Sequence, residues 1–513
     1  MHPIDFFYRA SRLYGNNIAL ESPHESVSYS QLVQRVKAAA AALQELDPGA
    51  QSRVGICSAN TVEHIIALLA VLAAGKVWVA LNSRSSVAEL ERILHFTRPS
   101  IVMASAQYGS RLDLRTIPHP IALDQPFAHA TTTLNHLLGS YTGREPTQVP
   151  HTPDTLQAIK FTGGSTGTPK GVMQPNRAWC ATVLNLIDAY QFSEADRNLV
   201  ASPLTHGAGT YLLPILAKGG CHVILEKTDA DSVLDALQNR SVSSVFMPPT
   251  LLYMVMAAGE GKPARFPALR HLICGGASMP AEKIRGAQKY FGSVVGVTYG
   301  QTEAPQIISY ASGADLADPR NLHSVGRAPL LSDFAIMGPD AQILPQDQIG
   351  EIVVRGDMVM SGYLDMPEKT AETIAGGWLH TGDLGYVDSR GYLHLRGRSR
   401  EVIITGGFNV YPVDVEDELS KHPAVHEAAV FGIDDEKWGE AVHTAIQLKP
   451  GSRLTESELI QYAKERLGSV KAPKFVHFYE SLPRSAVGKV DKVLLKKTHM
   501  QSGAASHSKL DRK

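Results

Sequence analysis

SRVGICSAN (52–60), TVEHIIALLAVLAAG (61–75), KVWVALN (76–82), SVAELERILHF (86–96) and PSIVMAS (99–105) follow one another almost without a break. Short runs rich in Val and Ile alternate with stretches of helical length, the pattern of parallel strands joined by crossover helices. Within the second stretch, Ile65 to Ala74 is apolar throughout. That run falls well short of the ~20 residues a membrane-spanning helix needs, so it predicts a helix buried on all sides.

The rhythm returns after residue 155 in LQAIKF (156–161), NLVASPL (198–204), CHVILEK (221–227), VSSVFMPP (242–249), LRHLICGG (269–276) and VVGVTYG (294–300), which predicts a second α/β layer. From about 320 to 398 the texture changes to short strands and turns, as in GEIVVRGDM (350–358) and GYLHLRGR (391–398). Beyond Arg398, helices at VDVEDELSKH and ESELIQYAKERL flank strands at HEAAVFGI and AVHTAIQL. The expected class is α/β. Residues 1–398 form a large N-terminal domain of layered, mostly parallel sheets with a β-rich subdomain, 399–500 a small α+β C-terminal domain, and 501–513 a polar, frayed tail.

At 513 residues the chain has material for several domains and an ample core. Lys plus Arg total 49 against 50 for Asp plus Glu, so no bulk basic field is present to gather nucleic acid or anionic lipid, and any anion site must be local. The four cysteines are far apart, without metal-ligand spacing, and suit a reducing compartment. The N-terminal MHPIDFFYRASRLYG has neither the basic start nor the apolar core of a signal peptide, so a cytoplasmic location without an integral membrane segment is expected.

Phe161-Thr-Gly-Gly-Ser-Thr-Gly-Thr-Pro-Lys170-Gly follows the strand LQAIKF and concentrates glycines, hydroxyls and one ammonium. Glycines let backbone N–H groups approach phosphate oxygens, hydroxyls donate further bonds, and Lys adds charge, so the loop suits a polyphosphate. It is not a Walker A loop, because Pro169 precedes Lys170 and Gly171 follows it. Gly163-Gly-Ser165-Thr-Gly167 also satisfies G-x-S-x-G, which leaves a serine hydrolase with Ser165 as nucleophile as an alternative.

These residues resemble the adenylate-forming superfamily, which includes acyl-CoA synthetases, nonribosomal peptide adenylation domains and firefly luciferase. The resemblance covers nearly the whole chain. It implies that Thr162, Gly163, Gly164, Ser165, Thr166, Gly167 and Lys170 orient the ATP phosphates, with Gly163 where the family usually has Ser. Tyr299-Gly300-Gln301-Thr302-Glu303 matches a second signature, implying that Thr302 contacts the α-phosphate and Glu303 helps hold Mg²⁺. Gly275-Gly276-Ala277 resembles the adenine-binding turn, and Asp383, in Trp378-Leu-His-Thr-Gly382-Asp383, the ribose-binding aspartate. Arg398 is expected on the ribose and phosphate side, with Arg400 at the family's hinge position.

In the C-terminal part, Gly406-Gly407-Phe408-Asn409 resembles the loop that lines the pantetheine tunnel, and Trp438 a residue that stacks on the CoA nucleotide. Pro483-Arg484-Ser-Ala-Val-Gly488-Lys489 matches the terminal motif whose Lys bridges carboxylate and ATP oxygens, so Lys489 is the leading catalytic residue. His206, in Thr205-His206-Gly207-Ala208-Gly209, stands in the family's aromatic gate, and the three small residues after it suggest an open pocket floor.

The implied reaction is ATP-dependent acyl-CoA ligation: carboxylate attack on the α-phosphorus gives an acyl-adenylate and pyrophosphate, and CoA then takes the acyl group and releases AMP. The small domain is implied to be mobile, serving the two steps in turn. ATP, Mg²⁺ and coenzyme A are the implied cofactors and co-substrates. The acid is expected to be medium or long-chain, or bulky and aromatic. No Lys or Arg can be assigned to the acyl pocket, which disfavours a dicarboxylate. Free CoA is expected as acceptor because no carrier domain follows the small domain. A stand-alone adenylation enzyme loading a separate carrier protein is the nearer alternative, and a homodimer is among the assemblies open to the chain.

Overall fold

The computed structural model describes residues 1–162, 170–262, 265–435, 437–485 and 488–507, for 501–507 the backbone only. The segment 52–105 folds as the alternation requires: strand Arg53–Cys57, helix Val62–Ala73, strand Val77–Ala80, helix Val87–Thr97 and strand Ile101–Ala104. Ile65 to Leu72 are almost wholly buried, so the helix is apolar all round because it is covered all round.

These strands belong to a seven-stranded sheet. Its order is Gly362–Tyr363, Lys170–Pro175, Leu156–Thr162, Val77–Ala80, Arg53–Cys57, Ile101–Ala104 and His119–Ala122. The five strands from Leu156–Thr162 onward are parallel, whereas Lys170–Pro175 returns antiparallel. A second, eight-stranded sheet places His271–Gly275 between Ser244–Met247 and Val295–Tyr299, all parallel. The largest core cluster joins the two sheets through the helices between them: Trp78 and Ala158 come from one sheet, Ile224 lies beside the other, and Leu68, Val183 and Leu213 come from the helices.

Residues 333–398 form an antiparallel five-stranded sheet, as the change of texture near 320 predicts. Beyond it, Val425–Asp435 and Gly439–Leu448 form the long hairpin of another five-stranded sheet, covered by helices Pro412–Ser420 and Glu456–Lys471 around a separate core of Val415, Leu419, Val442 and Leu459. The α/β class matches the expectation. One stretch differs: helix Lys492–His507 continues into the supposed tail at 501–513. Leu495 anchors its first turn among Phe431 and Leu482, and Met500, Gln501 and Ala504 are adequate helix formers. Among the described residues, no helix is long and apolar enough to cross a membrane.

Candidate active site

The carboxyl ends of three parallel strands, Leu156–Thr162, His271–Gly275 and Val295–Tyr299, open into one cleft, where ligands of α/β sheets bind. Thr162 and Lys170 face each other in register at the ends of their hairpin strands. The expected phosphate contacts at Gly163, Gly164, Ser165, Thr166 and Gly167 lie outside the described residues.

Tyr299 ends its strand with its ring buried, and its hydroxyl donates to Asp383 Oδ2 at 2.7 Å. Gln301 Nε2 donates to the same oxygen at 2.7 Å and to the Thr381 carbonyl at 3.0 Å. Burial, and then the Asp383 charge, pushes the Tyr299 phenol well above its ordinary pKa, so it stays a donor. Arg398, in register with Asp383 on the neighbouring strand, brings Nε to 3.3 Å from Oδ1. A carboxylate has about four acceptor positions, so Asp383 keeps capacity for hydroxyls in the cleft.

Glu303 is held from two sides: Tyr363 Oη donates to its Oε1 at 2.8 Å, and Met360 N–H to its carbonyl at 2.8 Å. Gln174 Nε2 donates to the Thr302 carbonyl at 2.8 Å, and Lys170 Nζ sits 5.4 Å from the centre of the Tyr363 ring. Tyr363, Met360 and Gln174 carry no motif and were not anticipated. Tyr363 thus engages one of the two Glu303 oxygens, and Glu303 and Lys170 both line the cleft. One hard carboxylate on the cleft wall fits Mg²⁺, which takes few protein ligands and completes its shell with substrate phosphates and water.

Gly276 has φ +88° with open space where a side chain would stand, whereas a Cβ on Gly275 would lie 2.8 Å from Thr298 Cγ2. Both line the cleft with Ala277. Gly300 lines it too, but its smallness serves a close approach: a Cβ there would lie 2.5 Å from the Gln306 backbone.

His206 Nδ1 is 2.9 Å from Thr205 Oγ1. Burial, with the nearby charges of Lys160, Lys489 and Arg84, lowers its pKa from 6.5 to about 4, so the ring is neutral at pH 7. The expected open floor is not found. A Cβ on Gly207 would be 2.6 Å from the Phe246 ring and one on Gly209 1.8 Å from the Leu204 carbonyl, so the small residues fit tight packing, with Phe246 stacked on Tyr211.

Lys489 reaches the cleft from the far end of the chain. The protein around it, and then Arg398, lowers its pKa, while Asp383, Glu401 and Glu303 act in the opposite direction. Its turn hangs on Thr250, at the start of helix Pro249–Ala258: Arg484 Nη1 donates to Thr250 Oγ1 at 3.0 Å, and Thr250 Oγ1 donates to the Gly488 carbonyl at 3.0 Å. Arg484 also pairs with Glu427, and Lys492 with Glu416 at 2.6 Å. Thr250 was not anticipated, since it is separated from Gly488 by 238 positions and carries no motif.

Gly406, Gly407 and Trp438 are not brought to this cleft. Both glycines have positive φ in the turn between Ile403–Thr405 and Phe408–Val410. Gly406 N–H donates to the Trp438 carbonyl at 2.7 Å, and Lys437 and Lys474 lie over the half-exposed Trp438 ring. Among the further cations that line the cleft is Lys160, on the strand preceding the glycine-rich loop, which bears on the expectation of an acyl pocket without a cation.

The family models agree with this geometry. Residues 7–364 match the AMP-binding enzyme family and 414–489 the AMP-binding enzyme C-terminal domain. A feruloyl-CoA synthase from Amycolatopsis is 32% identical over 94% of this chain and 96% of its own length. A 2-succinylbenzoate–CoA ligase from Bacillus cereus is 32% identical over 92% and 93%. Among solved structures, an amide bond synthetase from Marinactinospora thermotolerans superposes with a TM-score of 0.87 at 30% identity, covering 96% of this chain and 99% of that one. The chain therefore belongs to the AMP-binding enzyme family, in the acyl-CoA ligase branch of the adenylate-forming superfamily, and is an AMP-forming acid–CoA ligase that takes ATP and CoA.

Proposed function

We propose that the cleft activates a bulky or aromatic carboxylic acid, with Asp383, Tyr299 and Gln301 positioning the nucleotide and Lys489 acting at the reacting phosphorus. The observation that carries this reading is Lys489, supplied by the C-terminal segment, under the influence of Asp383, Arg398 and Glu303 across one cleft. A carboxylate oxygen attacks the α-phosphorus, the bond to the bridging oxygen breaks, and pyrophosphate leaves. Lys489 and Lys170 offset the negative charge that gathers on the phosphate oxygens, and the site holds the two reactants in line. When bound beside Glu303, Mg²⁺ supplies further neutralisation of the phosphates. The CoA sulfur then attacks the acyl carbon, and AMP departs with the electrons of the broken C–O bond.

For the second step, residues 399–500 rotate as a body about Arg400 relative to 1–398, withdrawing Lys489 and bringing Gly406, Gly407 and Trp438 toward the incoming CoA. Two features support this. The segment has its own core, and polar contacts such as the ion pair of Arg396 with Asp414 and the approach of His323 to Asp417 join it to the large domain, a contact suited to sliding. The relatives' names include ring-bearing acids and fatty acids, and the Phe246–Tyr211 stack supports a ring-bearing acid. Free cysteines throughout support a reducing cytoplasm.

The test is a panel of carboxylic acids scored for acid-dependent pyrophosphate release and CoA-dependent AMP formation. Both should rise with ring-bearing acids. Pyrophosphate release that ignores the acid would sink the reading, and adenylation without CoA consumption would redirect it to a carrier protein.

A further inference from the structure

Strand alternation puts Lys160 on the same face as Ala158, between the two large sheets, and its side chain runs under the rings of Trp78 and Trp179. Nζ lies 5.1 Å from the centre of the Trp78 ring and 5.5 Å from that of Trp179, which stand edge to face. Lys160 is only 7% exposed, and burial brings its pKa down to about 8. No carboxylate contributes to that value, and among the described residues no hydrogen bond or ion pair is recorded for its ammonium.

Around it stand buried donors without partners and, among the described residues, no carboxylate. The indole N–H groups of Trp78 and Trp179 are both buried without a partner. Gln174 directs its amide N–H to the Thr302 carbonyl, Thr182 donates its hydroxyl proton to the Ala178 carbonyl, and Thr210 donates to that of Gly207. Cation–π contact with two indoles makes a buried ammonium tolerable, but it satisfies none of these N–H groups, and buried donors are rarely left orphaned. The space in front of Lys160 is walled by Trp179, Leu213, Thr210 and Pro305. It adjoins the catalytic cleft, and Lys160, Gln174, Thr210 and Pro305 line both. After burial, Lys160 and Lys489 both lower the His206 pKa, so both cations stand within electrostatic reach of one wall of the cleft.

We propose that the acid activated here carries a second carboxylate at the far end of its acyl portion, seated on the Lys160 ammonium with the Trp179 indole N–H as its second donor. A negative charge with several acceptor positions is the ligand that this donor set lacks. The expectation that a dicarboxylate is disfavoured rested on finding no cation for the acyl pocket, and Lys160 removes that ground. The inference rests on the acid–CoA ligase reading above.

The experiment uses the full chain and matched pairs of acids, each dicarboxylic acid set against the monocarboxylic acid of the same skeleton, in aliphatic and aryl series. Acid-dependent pyrophosphate release is measured for the wild type, Lys160→Met and Lys160→Arg. The wild type should favour the best dicarboxylate over its partner by about 10–100-fold in kcat/KM, the range of a hydrogen bond to a charged group. Lys160→Met should abolish or invert that preference, and Lys160→Arg should retain part of it. A wild type that treats the partners equally or prefers the monocarboxylates overturns the inference even if Lys160→Met fails to fold. A Lys160→Met enzyme that folds, shown by its melting curve, but loses both arms in equal proportion overturns it too. Pyrophosphate release with no acid at all in the panel would instead bring down the ligase reading on which the inference rests.

Discussion

Asp383 and Lys489 occupy one cleft but are held in different ways. Asp383 lies on a ten-residue strand, 9% exposed, with Tyr299, Gln301 and Arg398 fixing both its oxygens. Lys489 lies on a short turn with its side chain open to the cleft, kept there by Thr250 and by charged pairs at the rim. Buried hydrogen-bonded carboxylates are costly to disturb, whereas partly exposed pairs contribute little each and exchange readily. One wall is thus held more firmly than the other, the difference that the proposed two-step use of the site calls for.

The strongest way to break this contrast is Lys489→Ala. Acid-dependent ATP–pyrophosphate exchange should fall by about 10²–10³-fold or more, the scale of losing a group that stabilises transition-state charge. Thioester formation from supplied acyl-adenylate should stay near the wild-type rate. Equal loss in the two assays would mean that Lys489 does not leave the site between steps. Asp383→Asn should behave differently, lowering both half-reactions by about 10–100-fold through weakened bonds to a charged group. A loss confined to one half-reaction would contradict a fixed nucleotide wall.

Thr250→Val sharpens the contrast from the other side. It deletes the hydroxyl bonded to Arg484 and Gly488, so adenylation should slow by about 2–10-fold. The thioester step should be unchanged or faster, because the turn is released more easily. Slowing of the thioester step by the same factor would show that Thr250 does not act through docking of the lysine turn.

The strands, the helices between them and the residues of the nucleotide wall were legible because they are local: an apolar run or a five-residue motif carries its own reading. Sheet order was not, because Trp78 pairs beside Ala158 across 80 positions of intervening chain. Lys160 drew no reading from the sequence, since its burial depends on Trp78 and Trp179 from two other elements. Thr250 was invisible for the same reason. Gly207 and Gly209 were read as space when they are close approach, because smallness in a sequence does not say whether Phe246 or a substrate fills the gap. Gly406 and Trp438 are joined through their backbones, but with Gly407 they lie away from the cleft that the motif resemblance assigned them to.

The smallest expected effect is a pH profile, and it tests whether docking of the lysine turn persists in solution. His206 owes its lowered pKa first to burial and then to cations that include Lys489. With its pKa moved from 6.5 to about 4, it is neutral across pH 6–8, so kcat/KM for adenylation should change less than about twofold there on its account. Lys489 acts as an ammonium, and its lowered pKa means that the charge is lost at a pH below the ordinary lysine range. The alkaline limb should therefore come early, and Lys489→Arg, at reduced rate, should shift it upward because guanidinium does not deprotonate there. An acid limb near pH 6.5 would mean that His206 titrates as a solvated imidazole, which requires the cleft around it to be open and the lysine wall undocked in the free enzyme.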